Sequence, residues 1–254
     1  MSNSNNSSSQ TTNTGSTSWY ESWFDTKYYH ILYKDRNYRE AQLFMDNLTQ
    51  YLNLPEKAKV LDLACGKGRH SIYLNQLGYN VIGADLSENS IAEAKKNENE
   101  MLHFVVHDKR EPFEEKFDAI FNLFTSFGYF ENEEDDIKTL TAIKNSLSEY
   151  GFAVIDFMNS NYVVENLIEN EIKEVEGITF NIKKYFIDGY IIKEIDFEDE
   201  GKKYHFVEKV RAFTLEDFQR MFEEVGLYLL DIFGDYKLKK YHKNTSERLI
   251  MIFK

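Results

Sequence analysis

VLDLACGKGRHS, Val60 to Ser71, is an apolar run that ends in an acid, turns on two glycines and opens into a basic pair. The apolar half reads as a buried strand, and the residues after Gly68 read as the start of a helix. A strand that passes through a glycine turn into a helix is the opening unit of a parallel α/β sheet. Glycines let the backbone approach a ligand closely, and a helix start offers unpaired N–H groups. One stretch therefore predicts both a layer architecture and a binding turn.

Working outward, elements alternate. Residues 79 to 85 read as a second strand, Glu88 to Asn99 as a helix and Leu102 to His107 as a third strand. Phe117 to Phe124 is a fourth strand, Asp135 to Ser148 a helix stopped at Gly151, and Phe152 to Met158 a fifth strand. Regular alternation predicts an α/β fold, a Rossmann-like sheet of seven mostly parallel strands with helices on both faces. Residues 175 to 213 break the pattern with three strand-like runs, ITFNIKKYFI, YIIKEIDF and KKYHFVEKVRAF. Asp188-Gly189 and Glu200-Gly201 separate them as hairpin turns, so an antiparallel β insertion is expected there, over the strand ends as a substrate lid. Thr214 then caps a helix over 215 to 225, stopped by Gly226. Leu227 to Phe233 and Arg248 to Phe253 complete the sheet, the last strand running antiparallel. Upstream, residues 19 to 55 predict an aromatic helical lid of two helices, broken around Asp35 to Asn37. The polar start, residues 1 to 18, has too few apolar groups to repay ordering and reads as a disordered tail.

The formal net charge of −13 is a poor match for a nucleic-acid partner, which wants a basic face. A single cysteine, Cys65, excludes an internal disulfide and points to the cytoplasm. No run approaches the roughly 18 apolar residues of a membrane span. No His, Cys and Asp cluster has metal-ligand spacing, so no metal is expected.

The glycine turn suits either a dinucleotide or S-adenosylmethionine. A dinucleotide fingerprint wants Gly or Ala where Ser71 stands. Asp62, four residues before Gly66, would repel a pyrophosphate. S-adenosylmethionine carries an ammonium and a sulfonium, which the same carboxylate attracts. At about 4 Å and an effective dielectric of about 20, one such pair is worth about 4 kcal/mol before desolvation. Asp85 ends the second strand 19 residues after Gly66, where an acid can accept both ribose hydroxyls.

Val60 to Ser71 resembles the first motif of the class I S-adenosylmethionine-dependent methyltransferases. VIGADLS (81 to 87), VVHDKREPF (105 to 113) and FDAIFNLFTSFGYF (117 to 130) resemble their second, third and fourth motifs, and GFAVIDFMN (151 to 159) their fifth-strand signature. Ala64 stands where many members have a glycine, which alanine fills if φ there is negative. The resemblance implies that Asp62, Ala64, Gly66 and Gly68 hold the methionine moiety, with Arg69 meeting its carboxylate. Asp85 would grip the ribose, with Leu86 against the adenine. Asp108 and the Lys109 backbone N–H would read the adenine edge, and Asn122 and Phe124 would line the sulfonium. S-adenosylhomocysteine would be the product.

The expected reaction is methyl transfer to N or O of a small-molecule acceptor. An NAD-linked oxidoreductase and a non-catalytic cofactor-binding protein of the same fold are the alternatives. The Asn/Asp-Pro-Pro-Tyr/Phe tetrapeptide of DNA amino methyltransferases is absent, and Asn122-Leu-Phe-Thr-Ser-Phe-Gly-Tyr stands there instead. Phe127 and Tyr129 are expected in the acceptor wall, Tyr33 and Arg36 in the helical lid, and His205 in the β insertion. In-line displacement needs alignment and exclusion of water more than a conspicuous base, and none is conspicuous.

Overall fold

Lys59–Leu63 (β1) is buried from its second residue onward, because both faces of a parallel strand are covered. The computed structural model describes residues 19–34 and 38–254. The expected tail and Arg36 lie outside the described residues. β1 leads into Arg69–Gln76 (α4), after three N-terminal helices, Trp19–Phe24 (α1), Lys27–Leu32 (α2) and Tyr38–Leu52 (α3). The first two were expected as one. They part at Asp25-Thr26, where the Thr26 hydroxyl accepts the Tyr29 N–H and caps α2.

The chain continues through Asn80–Asp85 (β2), Glu88–Ala94 (α5), Leu102–Val106 (β3), Phe117–Asn122 (β4), Glu133–Ser146 (α6) and Leu147–Met158 (β5). Gly151, read as a helix stop, sits inside β5. A Cβ there would lie 2.7 Å from the Phe117 carbonyl oxygen, so close strand pairing requires the glycine. Ser160–Glu165 (α7) precedes a second sheet of Asn170–Val175 (β6), Ile178–Ile187 (β7), Tyr190–Asp199 (β8) and Lys202–Arg211 (β9). Leu215–Val225 (α8), Leu229–Phe233 (β10) and Arg248–Phe253 (β11) close the chain. Thr214 and Asp217 form a reciprocal cap at the start of α8, and Gly226 ends it at φ 69°.

The main sheet has the order β10-β11-β5-β4-β1-β2-β3, with β11 antiparallel to both its neighbours. Its odd-numbered β1 residues, Leu61 and Leu63, pack with α6 and α8. Val60, on the other face, packs with α3, α4 and α5. The second sheet is antiparallel, in the order β6-β7-β8-β9. It has four strands where three were expected. β6 reads Asn-Glu-Ile-Lys-Glu-Val on an edge with Ile172 exposed, a strand too polar for alternation to reveal. Trp23, Tyr28 and Leu32 of the N-terminal helices pack on Phe180, Ile195 and Phe197 of that sheet as a third core. Among the described residues, no helix is long and apolar enough to cross a membrane.

Candidate active site

A cavity of about 670 Å³ lies between the carboxyl ends of β1, β2 and β4, the N-terminal helices and the second sheet. Open α/β sheets bind ligands at those strand ends, where side chains and helix starts converge. Its deep wall is the turn after β1. The backbone is left-handed at Ala64 (φ 64°), Gly66 (φ 56°) and Gly68 (φ 78°). The expected negative φ at Ala64 is thus corrected. Crowding of Cβ against the next carbonyl costs about 1–2 kcal/mol there, while glycine in its place loses about 0.5–1 kcal/mol of entropy. Ala64→Gly is therefore expected to leave stability unchanged or raise it by up to about 1.5 kcal/mol. A lowered urea midpoint would contradict the strain.

Two acids converge on this turn. Asp62, almost wholly withdrawn from water, accepts a 2.6 Å hydrogen bond from the Ser71 hydroxyl on α4. Burial pushes its pKa up to about 6, against that hydrogen bond. Asp85 accepts the Gly66 N–H at 2.8 Å and the Ser87 N–H at 2.9 Å, and burial raises its pKa too. The first acid is held by the helix and the second by the glycine turn itself, and both line the cavity. Cys65 between them is buried, and desolvation lifts its thiol well above the ordinary range.

Arg69 and Leu86 also line the cavity. The Arg69 guanidinium lies 4.9 Å from the Phe124 ring, on which His70 stacks at 4.8 Å. Asp108 reaches the cavity with its carboxylate spent on Arg110, whose Nε lies 3.0 Å from both oxygens. Burial raises the Asp108 pKa, but Arg110 outweighs it and holds the group below its usual range. Lys109, expected to act through its backbone, uses its side chain as well. Nζ donates to the Ser126 carbonyl at 2.7 Å and lies 4.7 Å from the Phe130 ring. Desolvation lowers its pKa to about 8.

Four expected residues do not line the cavity. Gly68 caps α4, and a Cβ on it would lie 2.4 Å from Phe104 Cε1, so it serves packing. Asn122 is buried behind the wall and donates to the Leu63 carbonyl at 2.9 Å. Phe127 is fully buried against Phe213 and Phe218. His205 points away from the cavity and pairs with Asp196 at 2.9 Å, because the inward positions of β9 are the even ones, Phe206, Glu208 and Val210. Tyr33, Tyr129 and Phe124 do line it.

The structure adds residues the sequence did not single out. Trp19, Tyr20 and Phe24 of α1 cluster with Tyr129, with ring centroids 5.3, 6.3 and 5.5 Å from it. Arg248 of β11 pairs with the fully buried Asp156 at 2.7 Å and donates to Thr125 Oγ1 at 3.0 Å. A lone acid inside the apolar run of β5 was the available signal, since a buried charge needs a partner.

A family model described as a methyltransferase domain matches residues 60–151. Glycine/sarcosine N-methyltransferase of Aphanothece halophytica is 26% identical over 249 residues, covering 92% of this chain and 87% of the relative. An S-adenosylmethionine-dependent methyltransferase from Clostridium acetobutylicum shares the fold with a TM-score of 0.76 at 23% identity, covering 89% of this chain and 95% of that one. The sugar N-methyltransferase KedS8 from Streptoalloteichus aligns with a TM-score of 0.69 at 17% identity, covering 100% and 98%. The matched stretch starts at Val60 in β1 and ends inside β5, so it contains the glycine turn and both acids of the deep wall; over that stretch the chain carries a methyltransferase domain, and its fold is the one that S-adenosylmethionine-dependent methyltransferases share.

Proposed function

We propose that the cavity binds S-adenosylmethionine between the β1 turn and Asp85 and passes its methyl group to the nitrogen of a small amine. The observation that carries this reading is the pairing of the buried Asp62 and the half-buried Asp85 with an aromatic wall in one cavity. Gly66 fits a close ligand, since a Cβ there would meet nothing within 4 Å and would project from the turn that lines the cavity. When bound, the cofactor supplies a methyl group on a sulfonium, a good leaving group for in-line displacement.

The chain's own residues would bind, orient and exclude water. Asp62 and Asp85 meet the positive and hydroxyl-bearing parts of the donor and disfavour a diphosphate. Trp19, Tyr20, Phe24 and Tyr129 close the site on the acceptor side, and aromatic faces attract an ammonium. An amine loses its proton to water before attack, so no strong base is required, whereas a hydroxyl acceptor needs one at the reacting oxygen. Relatives named for glycine, sarcosine and sugar N-methylation support nitrogen as the target atom.

Calorimetric titration with S-adenosylmethionine and with NADH tests the cofactor. Binding of the first and not the second is expected, and the reverse would end the reading. Asp62 adds a pH signature. Its carboxylate takes a proton as pH falls through about 6, and only the ionised form attracts a cation. Affinity is expected to be flat above pH 7 and about tenfold weaker at pH 5. Asp62→Asn should remove this slope.

A further inference from the structure

The second sheet turns one face toward the cavity and the N-terminal helices, and on its three long strands two apolar rows of that face bracket a charged one. Ile182, Ile195 and Phe206 lie side by side across β7, β8 and β9, and Phe186, Ile191 and Val210 form another such row. Between these rows, in register, stand Lys184, Lys193 and Glu208, all three lining the cavity. Glu171 of the neighbouring β6 stands opposite Ile182 and reaches diagonally to this row, its carboxylate 2.6 Å from Lys184 Nζ. Across four strands the order is acid, lysine, lysine, acid.

Like charges directly opposite on antiparallel strands destabilise a sheet, and withdrawing charge from water costs more. Lys193 and Glu208 keep only 16% side-chain exposure each. The two outer carboxylates neutralise the row as a whole. Glu208 is held from the helices by Trp23 Nε1 at 2.7 Å and the Tyr33 hydroxyl at 2.7 Å, and lies 3.7 Å from Lys193. Lys193 Nζ in turn stands 4.5 Å from the Tyr33 ring centroid. What is left between the two carboxylates is a step of two adjacent lysines, Lys184 and Lys193, in the wall of a cavity. A single negative charge resting on it would relieve the repulsion. A dianion would meet Glu171 and Glu208 at both ends.

We propose that the Lys184–Lys193 step binds a carboxylate of the methyl acceptor, so that the substrate is an amine bearing a carboxylate and not an uncharged amino sugar. The inference rests on the amine reading above and adds the group that selects among amines. Lys184 and Lys193 are specificity residues here, and the reacting nitrogen lies beyond them toward the aromatic wall.

N-methylglycine and N-methylglycinamide share the amine and differ in the carboxylate. The full chain is assayed for methylation of each with S-adenosylmethionine, and for binding of each when saturated with S-adenosylhomocysteine. The acid is expected to exceed the amide in kcat/KM and in affinity by about 10- to 100-fold, the value of a charge-assisted contact. Lys184→Met and Lys193→Met should each erase most of that preference, bringing the acid down toward the amide, and Lys193→Arg should retain it. Because Lys193 also touches Tyr33 and Glu208, Lys184→Met at the rim decides if Lys193→Met fails to fold. Equal treatment of acid and amide by the natural chain, equal loss of both in the variants, or binding of neither overturns the step. Binding of the acid that depends on Lys184, with no methylation of either compound, supports the step and overturns the amine reading instead.

Discussion

Replacement of Arg248 by methionine is expected to cost the fold about 3–5 kcal/mol, the usual penalty for removing one partner of a buried ion pair. Asp156 is fully buried at the end of β5, and Arg248 of the adjacent β11 reaches it through Nη2 at 2.7 Å and Nε at 2.8 Å. Without the guanidinium, the carboxylate keeps the Phe124 N–H at 2.9 Å and the Tyr236 hydroxyl at 3.2 Å, which do not balance a whole charge. Burial already raises the Asp156 pKa against the pull of Arg248, and the variant raises it further. A carboxyl whose folded pKa exceeds its unfolded value is penalised in full above the folded pKa. The penalty shrinks as pH falls toward the unfolded value. Urea unfolding should therefore show Arg248→Met closer to the natural chain at pH 5 than at pH 8, and adding Asp156→Asn should recover part of the loss. A deficit below about 1 kcal/mol that ignores pH would mean the pair contributes little. The same guanidinium donates to Thr125, beside the left-handed pair Phe124 (φ 57°) and Thr125 (φ 63°). The variant should thus also loosen the bend that carries the cavity wall after β4.

Gly68→Ala is expected to cost about 2–5 kcal/mol of stability, summing left-handed strain and overpacking. The added methyl would fall 2.4 and 2.5 Å from Phe104 Cε1 and Cζ, at φ 78°. Phe104 cannot retreat, because the same ring lies 2.5 Å from where a Cβ on Gly83 would stand and is itself buried. The ring is wedged between two glycines, one in the turn and one in β2. Gly66→Ala provides the contrast. A Cβ there meets no protein atom within 4 Å, so its cost to the fold is the strain alone, and its cost to the cofactor is the larger part. Denaturant midpoints and cofactor titrations on the two variants should move in opposite order. If Gly68→Ala retained stability and lost the cofactor, the resemblance-based role of Gly68 would be restored.

That the glycine turn, Asp62 and Asp85 come together in one cavity wall was legible in the sequence, because each sits at the end of a strand. Gly68 and Asn122 carry the same local signature and serve the scaffold, since what decides is whether Phe104 or Leu63 already fills the space beside them. Ser71, read only as a residue of the wrong kind for a dinucleotide turn, turns out to be the hydrogen-bond donor that holds Asp62. Phe127 and Tyr129, two apart in one loop, go to the core and to the cavity respectively. The edge strand β6 gave no sequence signal because its stability comes from pairing with β7 and not from an apolar stripe.

The alternating layers, the turn at the end of β1 and the two acids beside it were fixed locally, because each depends on residues within one helix or strand of one another. The wall formed by the N-terminal helices, the second sheet and β11 was fixed by long-range contacts. Asp156 meets Arg248 across 92 residues, Trp23 meets Glu208 across 185, and Lys184 faces Lys193 through strand register. Register is set by hydrogen bonding between segments, and a slip of one residue between β7 and β8 would put the two lysines on opposite faces, so no local pattern could have placed them together.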